Sequence, residues 1–217
     1  MNAGREQALG SLLRRSAVMP VVTIDAVEHA VPLAEALWRG GLRTIEITLR
    51  TPAGLPAIER IARAMPELAV GAGTVLSADD LAAAARAGAQ FAVSPGATEA
   101  LYRAAAPIPW LPAIATASDV MRGLEAGHRC FKFFPAVAAG GVALLQSLHG
   151  PFPQLTFCPT GGITAALAPQ FLALPQVACV GGSWLAPAAL LQARDWNGIS
   201  ALAAAAAALR PQPPATA

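Results

Sequence analysis

Thr44-Ile45-Glu46-Ile47-Thr48-Leu49-Arg50 continues through TPAGLPAIERIARAMPELAVGAGT to Thr74, and this stretch carries the repeating unit of the whole 217-residue chain. Its opening alternates apolar and polar residues with period two, which predicts a strand over Thr44 to Leu49. The window from Pro52 to Met65 spaces its apolar residues as a helix does, and Ala69 to Thr74 reads as the next strand. Two strands joined through a helix are parallel neighbours, because an antiparallel pair needs only a short turn.

The same unit recurs on both sides. Strands are predicted at Val18 to Ile24, Phe91 to Ser94, Ile108 to Ile114, Cys130 to Phe134, Leu155 to Pro159 and Val177 to Val180. Helical windows lie at Val27 to Arg39, Asp79 to Ala87, Thr98 to Ala106, Ser118 to Ala126, Val142 to Leu148 and Ala165 to Leu174, and the alanine-rich stretch Ala201 to Leu209 suits a packed helix. Ser77 and Thr98 are placed to cap helices, and glycine follows the helices that end at Arg39, Ala87 and Ala126. Eight strand-helix units repeating at about 25 residues predict an α/β fold of the (β/α)8 TIM barrel type. A doubly wound open sheet competes, but the first strand-helix turn lacks G-x-G-x-x-G. No linker is visible, so residues 1–217 read as a single barrel domain, with a proline-rich, frayed tail at 211–217.

Composition narrows the function. A net charge of +2 with no basic stripe argues against nucleic acid. No apolar run reaches the ~18 residues needed to span a bilayer, and charges at Arg5, Glu6, Arg14 and Arg15 interrupt any signal-peptide core. A cytoplasmic location with no membrane partner is the expectation. Cys130, Cys158 and Cys179 have no CxxC spacing and read as buried thiols without a disulfide. His29, His128 and His149 are too scattered for a zinc site, so no metal is expected. The chain has fourteen arginines and one lysine, Lys132. Arginine cannot shed its proton to become a nucleophile, so the one retained lysine draws attention.

In such barrels chemistry sits at the C-terminal strand ends. Phe131-Lys132-Phe133-Phe134-Pro135 puts Lys132 near such an end, on the face opposite Phe131 and Phe133. Burial disfavours the charged form of an amine, and a neutral amine attacks carbonyls. The plainer alternative is a lysine whose stem is buried while its ammonium reaches solvent. Glu46, Thr48 and Arg50 share the inward face of their strand; either Glu46 and Arg50 form an internal salt bridge or Glu46 does proton transfer. Gly71-Ala72-Gly73-Thr74 ends the third strand, offering a hydroxyl beside backbone N–H groups. Pro159-Thr160-Gly161-Gly162-Ile163 and Gly181-Gly182-Ser183-Trp184 follow the seventh and eighth strands, where barrels often bind phosphate. Each glycine pair alone is more often a plain turn.

Together these segments resemble the 2-keto-3-deoxy-6-phosphogluconate (KDPG) and 4-hydroxy-2-oxoglutarate (KHG) aldolase family. The resemblance runs from Pro20 to Trp196, through Glu46 to Thr51, Gly71 to Val75, Ser94-Pro95-Gly96, Phe131 to Ala136, Cys158 to Ile163 and Gly181 to Leu185. It implies a class I aldolase without metal or cofactor, a homotrimer that splits KDPG into pyruvate and glyceraldehyde 3-phosphate. By motif position Lys132 would form the Schiff base and Glu46 would be the general acid/base. Arg50 and Thr74 would hold the pyruvate carboxylate, and Gly161, Gly162, Gly182 and Ser183 the phosphate. Thr160 would meet the substrate's hydroxylated carbon, and Pro95 and Phe134 would line the substrate site. The chain departs from the family pattern at Leu111-Pro112-Ala113-Ile114-Ala115-Thr116 and at Ala136-Val137-Ala138-Ala139. Both departures bear on the preferred aldehyde. Other readings are an aldolase for the galactonate-series epimer, a phosphosugar epimerase or isomerase using Glu46 without a covalent step, and a non-catalytic sugar-acid binding protein.

Overall fold

The computed structural model describes residues 3–209. Eight parallel strands close into a ring: β1 (Val18–Val22), β2 (Thr44–Thr48), β3 (Ala69–Gly73), β4 (Phe91–Val93), β5, β6 (Cys130–Phe133), β7 (Thr156–Pro159) and β8 (Val180–Gly182). β5 is split by Pro112 into Trp110–Leu111 and Ala113–Ile114. Proline has no N–H for the ladder, so the lower segment pairs with β4 and the upper one with β6. β8 closes the ring on β1 through Val18↔Val180 and Met19↔Gly181, and meets β7 by the bridge Thr160↔Gly181. The predicted (β/α)8 barrel is the fold observed.

Helices surround the ring. After an N-terminal α1 (Ala3–Leu13) come α2 (Ala30–Arg39, entered through a 3-10 turn), α3 (Gly54–Ala64), α4 (Ala78–Arg86) and α5 (Glu99–Arg103). They are followed by α6 (Ala117–Glu125), α7 (Gly141–His149), α8 (Ala168–Leu172), α9 (Ala188–Ala193) and α10 (Trp196–Ala207). Ser77 and Thr98 cap α4 and α5 as their side chains predict. Gly41, Gly88 and Gly127 have positive φ just past the ends of α2, α4 and α6, a conformation that disfavours other residues. Among the described residues no helix is long and apolar enough to cross a membrane.

Three expectations need correcting. The eighth strand was expected at Val177 to Val180, but the paired strand is Val180–Gly182; Val177 makes only one bridge, to Phe157. Register with β1 decides this, overriding the poor strand propensity of two glycines. The predicted single strand from Ile108 is the shorter, broken β5. Two helices, α1 and α9, went unpredicted. The tail 211–217 lies outside the described residues.

Strand alternation sorts the core into two shells. Outward residues such as Ile45, Ile47, Val70, Phe131, Phe133 and Phe157 pack against the helices. Inward residues near the N-terminal strand ends, among them Met19, Phe91, Leu111, Cys130 and Cys179, form a separate apolar cluster together with Cys158, which stands beside Lys132 in the register. Leu9, Leu12 and Leu13 of α1 join that cluster, so α1 closes the lower mouth of the barrel. The Glu6 carboxylate fastens it by accepting from the Arg129 and Cys130 amides at 2.7 and 2.9 Å. With the lower barrel filled by apolar groups, the polar interior residues are left to its upper, C-terminal half.

Candidate active site

Lys132 and Glu46 meet inside that upper half. Strand alternation turns both inward, from β6 and β2, and Lys132 Nζ lies 3.4 Å from Glu46 Oε1. Lys132 is 5% exposed and Glu46 1%, so the ammonium does not reach solvent along its stem. The Phe134 ring adds a face 5.3 Å from Nζ. The internal ion pair therefore joins Glu46 to Lys132, and the Glu46–Arg50 salt bridge considered from sequence is not the one formed. Removing one member of a buried pair strands the other charge, at a cost of roughly 3–5 kcal/mol.

Room for the carboxylate comes from β3. Gly73 stands opposite Thr48 in the register, and a Cβ on it would overlap the Glu46 side chain. Gly181 does the same for Thr160, whose hydroxyl occupies the space a Cβ there would need. Thr160 is buried, and its hydroxyl donates a long hydrogen bond of 3.4 Å to the Cys158 carbonyl. Glu46 Oε2 is buried with no hydrogen-bond partner among the described residues. A buried carboxylate oxygen without a donor is costly unless a ligand or water completes it.

At the rim, Arg50 Nε donates to Thr74 Oγ1 at 3.1 Å. That leaves the two terminal amino groups of Arg50 without a protein partner among the described residues, in the fork that grips a carboxylate. Thr74 has φ +59°, which is uncommon for a non-glycine residue and costs backbone strain. Gly161 and Gly162, at φ +102° and +76°, turn the chain after β7. Ser183 is exposed after β8. Gly182 differs from its neighbours: its missing side chain would point at the Trp184 ring, so only its backbone is available to a ligand.

Two openings flank this centre. A cleft of ≈ 400 Å³ is rimmed by Arg50 and Ser183 and also touches Thr23, Asp25, His29 and Gln192. Neither Lys132 nor Glu46 lines it, so the cleft itself is not the reacting centre. Across the ring a smaller cavity of ≈ 120 Å³ brings Pro95 and Phe134 together with Ala113, Ala115 and Asp119. Among the described residues no cluster of three or more His, Cys, Asp or Glu side chains could hold a metal ion.

One feature escaped the sequence reading. Thr23, just beyond β1, reaches across to Thr48 with a hydroxyl–hydroxyl separation of 2.9 Å. Its signal was the lone hydroxyl following the apolar run Val18 to Val22.

A closed barrel with one buried lysine against one buried carboxylate, and a free guanidinium fork at the same mouth, defines a class: barrels equipped for imine chemistry on a keto acid. Comparison with known proteins places the chain within that class. The profile of the KDPG and KHG aldolases matches residues 9–202. The KHG/KDPG aldolase of Escherichia coli K12 is 52% identical over 195 residues, covering 89% of this chain and 92% of the relative. The KDPG aldolase of Legionella pneumophila, solved with pyruvate captured as a covalent carbinolamine, superposes with a TM-score of 0.89 at 44% identity, covering 91% and 97% of the two chains. That of Zymomonas mobilis ZM4, solved with 3-phosphoglycerate, gives 0.89 at 46% identity, covering 94% and 97%. The chain belongs to the KDPG and KHG aldolase family.

Proposed function

We propose that the chain cleaves 2-keto-3-deoxy-6-phosphogluconate to pyruvate and glyceraldehyde 3-phosphate through an imine on Lys132. The buried Lys132–Glu46 contact of 3.4 Å is the observation that carries this reading, with the family membership behind it. In its neutral form Lys132 attacks the C2 ketone, and loss of water gives a protonated imine that can accept an electron pair. Glu46 takes the proton of the C4 hydroxyl, directly or through a water, and the C3–C4 bond breaks toward the imine. The aldehyde leaves, an enamine remains, and Glu46 helps return a proton to C3. Hydrolysis of the imine frees pyruvate and restores Lys132.

The remaining residues hold the substrate. Arg50, steadied by Thr74, would take the C1 carboxylate and so fix the plane of the imine. Thr160 would meet the hydroxylated carbon. The phosphate would lie against the backbone of Gly161, Gly162 and Gly182 and the Ser183 hydroxyl, near the wide cleft. Pro95 and Phe134 would close the other side.

Cleavage of 4-hydroxy-2-oxoglutarate is a second activity of the same site, favoured by the naming of the E. coli relative for both substrates. A homotrimer, which rests on the family, and a cytoplasmic location and a single domain over residues 1–217, which rest on the sequence, are part of the same reading. Pyruvate release from KDPG, followed with a coupled reductase, tests the activity. Failure to release pyruvate from either keto acid would remove it.

A further inference from the structure

The inward face of β2 places Thr48 two residues above Glu46, and Thr48 is 1% exposed. Its hydroxyl meets only that of Thr23 among the described residues, at 2.9 Å. Two hydroxyls carry two protons, and their mutual bond uses one. With Thr23 as the donor of that bond, the Thr48 proton is left over in the upper barrel. The Glu46 side chain leans toward that level: its Oε1 occupies the space over Gly73, and Gly73 is the register partner of Thr48. Its Oε2 has no donor among the described residues. A surplus donor and a surplus acceptor thus share one buried layer.

We propose that Thr48, backed by Thr23, is a positioning residue for Glu46. It supplies a hydrogen bond to Oε2, directly or through one water, once Lys132 has become an imine. The need arises from the chemistry. In the free enzyme the Lys132 ammonium holds Oε1. Imine formation turns that nitrogen toward C2 and leaves it at most one N–H, so the carboxylate loses much of its anchor just when it must move a proton. A hydroxyl fixed by a second hydroxyl replaces the anchor without adding charge. The inference rests on Glu46 being the proton carrier of the proposed reaction.

The test separates this role from the reaction itself. The full-length protein is given pyruvate in D2O, and loss of the methyl proton signal reports proton transfer at C3 of the imine. Borohydride trapping of the same samples reports imine formation. Wild type is expected to exchange and to trap; a wild type that traps without exchanging would overturn the role of Glu46 as well as that of Thr48. Thr48→Val, nearly isosteric, should trap as wild type does while exchange falls by about ten-fold or more, as for loss of a hydrogen bond to a charged group. Thr48→Ser keeps the hydroxyl and should retain exchange. Thr23→Val, at a less buried position, should shift exchange in the same direction by less. Equal exchange in Thr48→Val and wild type would overturn the proposal. So would a parallel fall in trapping and exchange, which would place the effect of Thr48 on Lys132 or the fold.

Discussion

Gly73 and Glu46 occupy one another's space: the Glu46 carboxylate lies where a side chain on residue 73 would begin. The two are offset by two residues on neighbouring strands, with Gly73 beside Thr48 and Glu46 beside Gly71, so the Glu46 side chain reaches Gly73 diagonally. The glycine is thus part of how the acid/base is aimed. Gly73→Ala should displace the carboxylate by about an ångström and lower kcat by ~10²-fold, while thermal denaturation still shows a folded protein. Steady-state cleavage of KDPG checks this, and unchanged turnover would mean that the position of Glu46 is not critical.

Glu46→Gln retains size and polarity but cannot carry a proton. Turnover should drop by ~10²-fold or more. Imine formation should persist in part, because Lys132 is untouched. Single-turnover trapping beside steady-state rates distinguishes the two steps, and wild-type turnover would mean the base is another residue.

Ser183 stands exposed at the edge of the wide cleft. Ser183→Ala should raise KM for KDPG with ~1 to 2 kcal/mol of binding lost, as for one hydrogen bond to an anion. 4-Hydroxy-2-oxoglutarate has no phosphate, so its KM should hardly move. Equal changes with both substrates would place the phosphate elsewhere.

At the other end of the barrel, Glu6 ties α1 to the start of β6. Burial alone pushes its carboxyl up, but the His128 contact and the Arg129 and Cys130 amides outweigh it and hold the group below the ordinary carboxylate range. A carboxyl depressed by folding adds stability above its unfolded pKa of 4.5 and loses it as pH falls through the lower folded value. Glu6→Ala should cost ~1 to 3 kcal/mol at pH 7, because two buried amides lose their acceptor. The difference from wild type should shrink in acid, below the depressed value. Urea denaturation at several pH values measures both, and a pH-independent difference would show that the carboxylate charge is not the source.

The two segments that decide the chemistry were legible because strand alternation is strict. Lys132 between Phe131 and Phe133, and Glu46 between Ile45 and Ile47, had to turn inward once the barrel was recognised. What alternation cannot say is which inward groups meet across the ring. Glu46 could have paired along its own strand with Arg50; the tilt and register of β2, β3 and β6 bring it to Lys132 instead. Helix α1 has only weak amphipathic patterning, and its burial depends on the barrel mouth it closes, far away in sequence. Likewise β8 is a strand because β1 needs a partner, while its glycines have little tendency to extend. The Thr23–Thr48 contact is a cross-strand pair of two ordinary residues, visible only once β1 and β2 are aligned.

The imine on Lys132 is the claim on which the account stands, and mass spectrometry after incubation with pyruvate and borohydride tests it most directly. Lys132 is the chain's one lysine, so the N-terminal amine is the one other primary amine that could compete for an imine, and peptide mapping separates the two. The account predicts a single pyruvate-derived addition, mapped to the peptide that contains Phe131-Lys132-Phe133, and none in Lys132→Met. A chain that releases pyruvate from KDPG yet stays unmodified under these conditions would contradict it.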